Sequence, residues 1–298
     1  MEYIDNIIYG YIIGDSYGLG LLNNEVNNNS IKLIDNNNLN IEKGSYSSMT
    51  TFMLATLDSV TSFKNINIAD ILNKMCTSLI LGKFTNDGKI YDLNNETLNI
   101  LKHYSKKNNL NYNYNELDES SYALSRLLPI IIYNSINKDD YIIVNKVISL
   151  TNINEEVLFG SYIFYKYMLN LISGKDKYKA LKFNIPNTFN KELVKKYKNL
   201  LKGNIFYKDI KFNSNIYNVL SVVFYVILHS DNFNDMFMMI NNLEGNTNIY
   251  SSLICSIGGI LYGKDSIDKS IIKDLKNKKE INKYIRDFKR SLKNEKVC

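Results

Sequence analysis

Hydrophobic residues recur every three or four positions along almost the whole chain, the spacing of a helix with one face turned to a core. A further apolar stretch surrounds Pro129, whose ring and missing amide hydrogen favour a kinked helix. No run of alternating residues is long enough for a sheet. We therefore predict an all-α fold, a multi-helix bundle forming a single domain over 1–298. Helices are predicted over 3–14, 49–63, 67–81, 95–107, 139–149, 154–173, 189–201, 216–230 and 232–243, with amphipathic helices at the C-terminus.

Two polar segments lead directly into buried helices. One is GSYSSMTTFMLATLDSV at 44–60, and the other is EGNTNIYSSLICSIGGILYG at 244–263. Because each places small polar side chains at a helix N-terminus beside a core, we expect the two ends of the chain to form one cleft. The asparagine-rich segment 23–40 is predicted to be a mobile loop, either an insertion or a lid. The segment FTNDGKIYDLNN is expected to be hairpin-like, with its turn at Asp87–Gly88.

Composition and charge narrow the class of protein. With 45% hydrophobic and 22% charged residues among 298, the chain has the make-up of a globular protein. The net charge of +6 comes largely from C-terminal lysines, which could form a nucleic-acid surface. Apolar residues alternate with these lysines at helical spacing, which favours the solvent-facing sides of amphipathic helices instead. We expect no nucleic-acid partner.

The three cysteines have no metal-binding spacing and form no disulfide framework, which favours a reducing compartment. The N-terminus carries an acid where a signal peptide would have a base. No stretch reaches the roughly 18 apolar residues of a membrane span. A cytoplasmic protein without membrane contact is therefore expected.

The polar segments and two other motifs resemble those of the ADP-ribosylglycohydrolase family, which includes dinitrogenase-reductase-activating glycohydrolases and a lens crystallin. The segment at 10–20 is similar to G-x-x-x-G-D-A-x-G, and that at 44–54 to G-x-Y-S-D-D-T-x-M-x-L. The segment at 120–129 is similar to N-G-x-x-M-R-x-x-P and retains Arg126. The segment at 242–263 is similar to G-G-D-T-D-T and the small-residue helix after it. The order and spacing agree over nearly the whole chain.

The resemblance implies a site for two magnesium ions between the two loops, but this chain lacks the expected ligands. The S-D-D positions are Ser47, Ser48 and Met49. The D-T-D-T positions run from Asn246 through Asn248 to isoleucine, and leucine replaces the opening glutamate. Hydroxyls and amides cannot offset the dehydration of two divalent cations, and a thioether is the wrong donor for magnesium. We therefore expect no metal cofactor.

The resemblance also implies a ligand cleft, which is altered here. The N-G loop that cradles a diphosphate is Ser121–Tyr122, and the T-H dipeptide that contacts the distal ribose is Thr151–Asn152. Asp15 is the one acid left at a motif position and the one candidate catalytic residue, although capping or loop ordering also explains it. The predicted cleft residues are Asp15, Ser47, Ser48, Met49, Thr50, Ser121, Tyr122, Asn152, Asn246 and Asn248.

Three functions remain open from the sequence. The first is a catalytically inactive homologue that binds ADP-ribose, a nucleotide or an ADP-ribosylated protein. The second is an active hydrolase that releases ADP-ribose through an atypical site using Asp15 or Glu25. The third is a purely structural or partner-binding protein, which a cleft collapsed around Met49 and Tyr122 would favour. The sequence does not predict the oligomeric state.

Overall fold

The computed structural model describes residues 2–24, 31–137 and 140–293, and this part of the chain is helical without a β-strand. Two isolated bridges, Asn36 with Ile41 and Ser120 with Asn215, are its β-type pairings. The hydrophobic core extends from Ile4 to Leu292. The α-helices are α1 (Glu2–Leu21), α2 (Ser48–Phe63), α3 (Ile68–Leu81), α4 (Asn95–Lys107), α5 (Leu127–Ile136), α6 (Tyr141–Ile148), α7 (Glu155–Ile172), α8 (Lys191–Lys196), α9 (Lys198–Leu201), α10 (Ile216–Leu228), α11 (Phe233–Ile240), α12 (Thr247–Tyr262), α13 (Lys269–Asp274) and α14 (Lys278–Lys293).

Helices α1 and α12 pack with their backbones in contact, and this pair positions the site. A Cβ atom added to Gly14 would lie 2.1 Å from the carbonyl oxygen of Ser251. The Ser251 hydroxyl donates to the Gly14 carbonyl oxygen at 2.6 Å, and the Thr247 hydroxyl donates to that of Gly18 at 2.7 Å. The prediction that the first helix ends at Gly14 is therefore wrong. Its glycines provide close helix contact rather than a turn, and the helix continues to Leu21.

The chain around Pro129 also differs from the prediction. A 3₁₀ helix, Ser121–Arg126, leads into α5, so Pro129 is the third residue of α5. Amide groups in the first turn of a helix have no intrahelical acceptor, so proline removes no hydrogen bond there. The expected kink is replaced by a change of helix type ahead of the proline. The segment predicted as one helix over 189–201 is likewise two, α8 and α9. The other predicted helices are confirmed, with ends shifted by a few residues.

Asparagine side chains cap many of these helices. Each accepts a hydrogen bond from a backbone amide of the first turn, which satisfies a donor that the helix itself leaves free. The abundance of asparagine is thus used locally to start helices. The capping asparagines are Asn67, Asn94, Asn154, Asn190, Asn215 and Asn232.

The asparagine-rich segment 23–40 and the predicted hairpin-like segment around Gly88 can each be compared with the structure. Residues 25–30 of the asparagine-rich segment, and with them Glu25, lie outside the described residues. Of the remainder, Asn36 is buried and donates to the carbonyl oxygens of Leu19 and Leu22 at 2.9 and 2.6 Å. Gly88 has a φ of +85°, as a turn requires, but the surrounding described residues form no strand, so the hairpin-like prediction is wrong. None of the described helices combines the length and apolar character needed to cross a bilayer.

Candidate functional site

Asp15 lies in the C-terminal half of α1 and is fully buried. Its Oδ1 accepts a hydrogen bond from the Ser47 hydroxyl at 2.6 Å. Its Oδ2 accepts from the backbone amides of Ser47 and Thr50, both at 3.0 Å. The carboxylate therefore ties the first turn of α2 to α1. Asp15 thus orders the loop that precedes α2.

Ser47 and Asn248 bring the two ends of the chain together. Ser47 caps α2, because its hydroxyl oxygen accepts from the amide of Met49 at 3.1 Å. The same oxygen accepts from Nδ2 of Asn248, in the first turn of α12, also at 3.1 Å. The two polar segments therefore meet as expected, through a contact between buried side chains.

Asp92 completes the site, and the sequence did not identify it. It precedes α4 in a left-handed backbone conformation, with φ of 50°. Its Oδ2 accepts from Nδ2 of Asn248 at 2.7 Å. The Tyr122 hydroxyl donates to its Oδ1 at 3.1 Å, and the Ser48 hydroxyl donates to its backbone oxygen at 2.7 Å. An acid in a polar loop is too common for its position alone to indicate a site.

We call the chain of contacts Asp15–Ser47–Asn248–Asp92–Tyr122 the Asp15–Asp92 network. Its inner members Asp15, Ser47 and Asn248 are fully buried, while Asp92 and Tyr122 are partly exposed at its outer end. The network links α1, α2 and α12 to the loop before α4 and to the 3₁₀ helix before α5.

The other predicted cleft residues have different surroundings. Met49 is fully buried in the core, and its carbonyl oxygen accepts from the Tyr11 hydroxyl at 3.5 Å. Asn246 precedes α12, and its side chain makes no capping bond. Nδ2 of Asn152 donates to the Asp118 carbonyl oxygen at 2.9 Å and not to a member of the cleft.

Two further motif positions are also part of local structure. The Ser121 amide donates to the Ser214 carbonyl oxygen, which ties the 3₁₀ helix to the segment before α10. At the position of the family's glutamate, Leu22 packs with Leu19 and Ile41 in a small apolar cluster.

Burial controls the acid–base chemistry of the network. It raises the pKa of the Asp15 carboxyl from 3.8 to about 6, against the opposing effect of the hydrogen bonds from Ser47 and Thr50. Burial also raises the pKa of Asp92, while its bonds from Asn248 and Tyr122 lower it. The Tyr122 hydroxyl has its pKa raised by burial and then by the neighbouring Asp92 charge. Tyr122 is therefore a hydrogen-bond donor at neutral pH.

Arg126, the retained motif arginine, is structural. It is fully buried, and burial lowers the pKa of its guanidinium to about 9. Its Nε donates to the Val147 carbonyl oxygen at 2.8 Å, and its Nη2 donates to the Ile148 carbonyl oxygen at 2.6 Å and the Thr151 hydroxyl at 2.8 Å. These bonds satisfy the C-terminal end of α6, where carbonyl groups lack helical partners.

The donor set does not fit a pair of magnesium ions. In the described residues no group of three or more His, Cys, Asp or Glu side chains is arranged to hold a metal ion. Asp92 carries only acceptors, so Asn248 turns its amide nitrogen toward it, and an N–H donor repels a cation. The oxygens of Asp15 already accept three hydrogen bonds. Divalent cations of this kind require several free oxygen ligands.

A separate cavity of about 600 Å³ opens beside the start of α7. Its walls carry several glutamates, together with Lys196, which is ion-paired to Glu156 at 2.6 Å. None of the ten predicted cleft residues lines this cavity.

Comparison with known proteins gives two similarities. A family model described as ADP-ribosylglycohydrolase matches residues 4–296. A solved structure titled "ADP-ribosylglycohydrolase-related protein complex" superposes with a TM-score of 0.76, covering 98% of this chain and 99% of that chain at 13% sequence identity. At that identity the likeness concerns the fold. No curated protein matches the chain.

Proposed function

The chain belongs to the ADP-ribosylglycohydrolase family, and from this premise we propose that it is a catalytically inactive homologue that acts by binding a protein partner. The observation that carries the proposed loss of activity is the direction of the Asn248 amide. Its nitrogen bridges Ser47 and Asp92 at 3.1 and 2.7 Å, at a position where the resemblance implies a metal-binding aspartate. A hydrogen-bond donor thus replaces a cation ligand.

Breaking the hydrogen bonds of the Asp15–Asp92 network would also cost free energy. Withdrawing Asp15 from its contacts would leave the amides of Ser47 and Thr50 buried without an acceptor. Each unsatisfied buried donor costs about 1–3 kcal/mol. A metal ion or ligand that reached Asp15 would have to offset that cost, because the three hydrogen bonds of the carboxylate would be broken. This favours a structural use of the former catalytic region.

An active hydrolase with an atypical site is the weaker alternative. A carboxyl group with a pKa near 6 resembles a general acid of a glycosidase. However, Asp15 is fully buried, and without the family's metal ions hydrolysis of a glycosidic bond would need two carboxyl groups that flank that bond. The hydrogen bonds that occupy Asp15 argue against contact with a substrate.

Binding of ADP-ribose in the family's cleft is also less favoured than a protein partner. Met49 is fully buried, and the Tyr122 hydroxyl is bonded to Asp92 at 3.1 Å. This is the internal packing expected of a collapsed cleft. It supports a role that depends on the outer surface of the protein.

Calorimetric titration with ADP-ribose, with and without Mg²⁺, tests the proposal. We expect the same heats in both conditions, because the network offers no site through which the metal could recruit the ligand. We also expect no release of ADP-ribose from modified arginine or serine peptides, with an active family member as the positive control. Mg²⁺-dependent binding or release would contradict the proposal.

A further inference from the structure

The C-terminal helix carries a row of like charges along one face. Lys279, Lys283, Arg286, Arg290 and Lys293 are spaced alternately four and three residues apart, and all five are exposed. We call them the basic stripe. At 1.5 Å per residue the stripe is about 21 Å long. The opposite face of α14 is buried and apolar.

This arrangement works against the stability of the helix. Like charges three or four residues apart repel each other. Lys278 and Lys279 also lie at the N-terminus, where the helix dipole disfavours positive charge and Glu280 offsets only part of it. Asp287 lies beside the stripe, 3.8 Å from Nε of Arg286 and 3.9 Å from Nη1 of Arg290. Solubility requires only a mixed-sign surface, so it does not explain a row of one sign.

A groove of about 350 Å³ runs beside the stripe, between α14 and the start of α1. Lys289 lies in it and is paired with Asp5, so its charge is locally balanced. Arg286, Arg290 and Lys293 line the same groove. A cation-lined groove of this kind can receive carboxylates, and arginine can bind them through two parallel hydrogen bonds.

We propose that the basic stripe and this groove form a docking surface for an acidic segment of a protein partner. The inference rests on the proposed function in that it names the surface and the chemistry of the partner. The groove has no aromatic lining residue on which a base could stack, which disfavours single-stranded nucleic acid. The apolar face of α14 is buried in the core and is not available to enter a membrane.

A fluorescein-labelled peptide of alternating glutamate and serine is the probe, and the same peptide with glutamine is its control. We expect the glutamate peptide to bind the full chain with salt-sensitive affinity and the glutamine peptide not to bind. The variant R286E/R290E should weaken binding about tenfold or more, because it reverses two charges inside the groove. R286Q/R290Q provides a milder version should charge reversal impair folding.

The control variant K208E/K211E makes the same change in net charge at two exposed lysines outside the groove. We expect it to bind the peptide nearly as the original chain does. Equal weakening by both double variants, or no binding to the peptide, would overturn the proposal. Tighter binding of duplex DNA than of the peptide would also overturn it, in favour of a nucleic-acid partner. None of these outcomes depends on Mg²⁺, so they are distinct from a failure of the proposed function.

Discussion

Replacing Gly14 with alanine is expected to destabilise the folded chain by about 3 kcal/mol or more, at the upper end of the range for overpacked cores. The new Cβ would lie 2.1 Å from the Ser251 carbonyl oxygen and 2.8 Å from Cβ of Cys255. The first of these atoms belongs to the backbone of α12, so it can move only if the two helices separate. Separation would also break the hydrogen bond from the Ser251 hydroxyl to Gly14. Denaturant unfolding monitored by circular dichroism measures the change.

Ser16→Ala is the matched control on the same helix. The Ser16 hydroxyl is buried and makes no hydrogen bond among the described residues, so its removal should leave stability unchanged or slightly higher. If Gly14→Ala were as stable as Ser16→Ala, the close contact between α1 and α12 would be incorrect.

Replacing Asp15 with alanine is expected to cause the second large loss of stability. It removes the acceptor of three hydrogen bonds, two from backbone amides that have no other route to water. At about 1–3 kcal/mol for each of the three buried donors, this loss is about 3–9 kcal/mol, which equals or exceeds the gain from no longer burying a charge. That gain is about 3 kcal/mol at neutral pH, the free-energy equivalent of raising the pKa from 3.8 to about 6. We expect a net destabilisation of a few kcal/mol in chemical denaturation.

The stability lost on replacing Asp15 with alanine should also depend on pH. Between pH 3.8 and about 6 the folded chain holds the proton on Asp15 while the unfolded chain loses it. The folded state therefore binds more protons, and this contribution to stability is full below the lower pKa and is lost as pH rises through the higher one. The stability difference between the original chain and Asp15→Ala should widen as pH falls from neutral. A difference that narrows would show that burial does not raise the pKa of Asp15.

The sequence predicted the helical fold and the meeting of its two polar segments because both depend on local patterns. Ser47 begins an apolar run as a capping residue, and Asn248 lies one residue into a similar run, so each could be placed at a helix N-terminus. Two polar helix N-termini beside one core were then expected to meet. The four positions where the family has aspartates hold Ser48, Met49, Asn246 and Asn248, which already indicated a loss of metal ligands.

The remaining features depend on contacts between distant residues. Gly14 is a helix terminator by local preference, yet the partner helix α12 makes it a close-packing residue. Pro129 could be assigned to a kink or a first turn only once the preceding 3₁₀ helix was known. Asp92 reaches the site because it contacts the first turns of α2 and α12, and it lies 156 residues from Asn248 in the sequence. Nothing in its immediate sequence encodes that approach.

Thermal unfolding in Mg²⁺ and in chelator, at equal ionic strength, is the most direct test of the central claim that this family member has no magnesium site. A metal that binds the folded state raises the midpoint temperature. At a metal concentration a hundred times the dissociation constant, it stabilises the folded state by about 2.7 kcal/mol. We predict the same midpoint in both solutions, for the original chain and for Asn248→Ala alike. A saturable increase with Mg²⁺ in the original chain that disappears in Asn248→Ala would contradict the account.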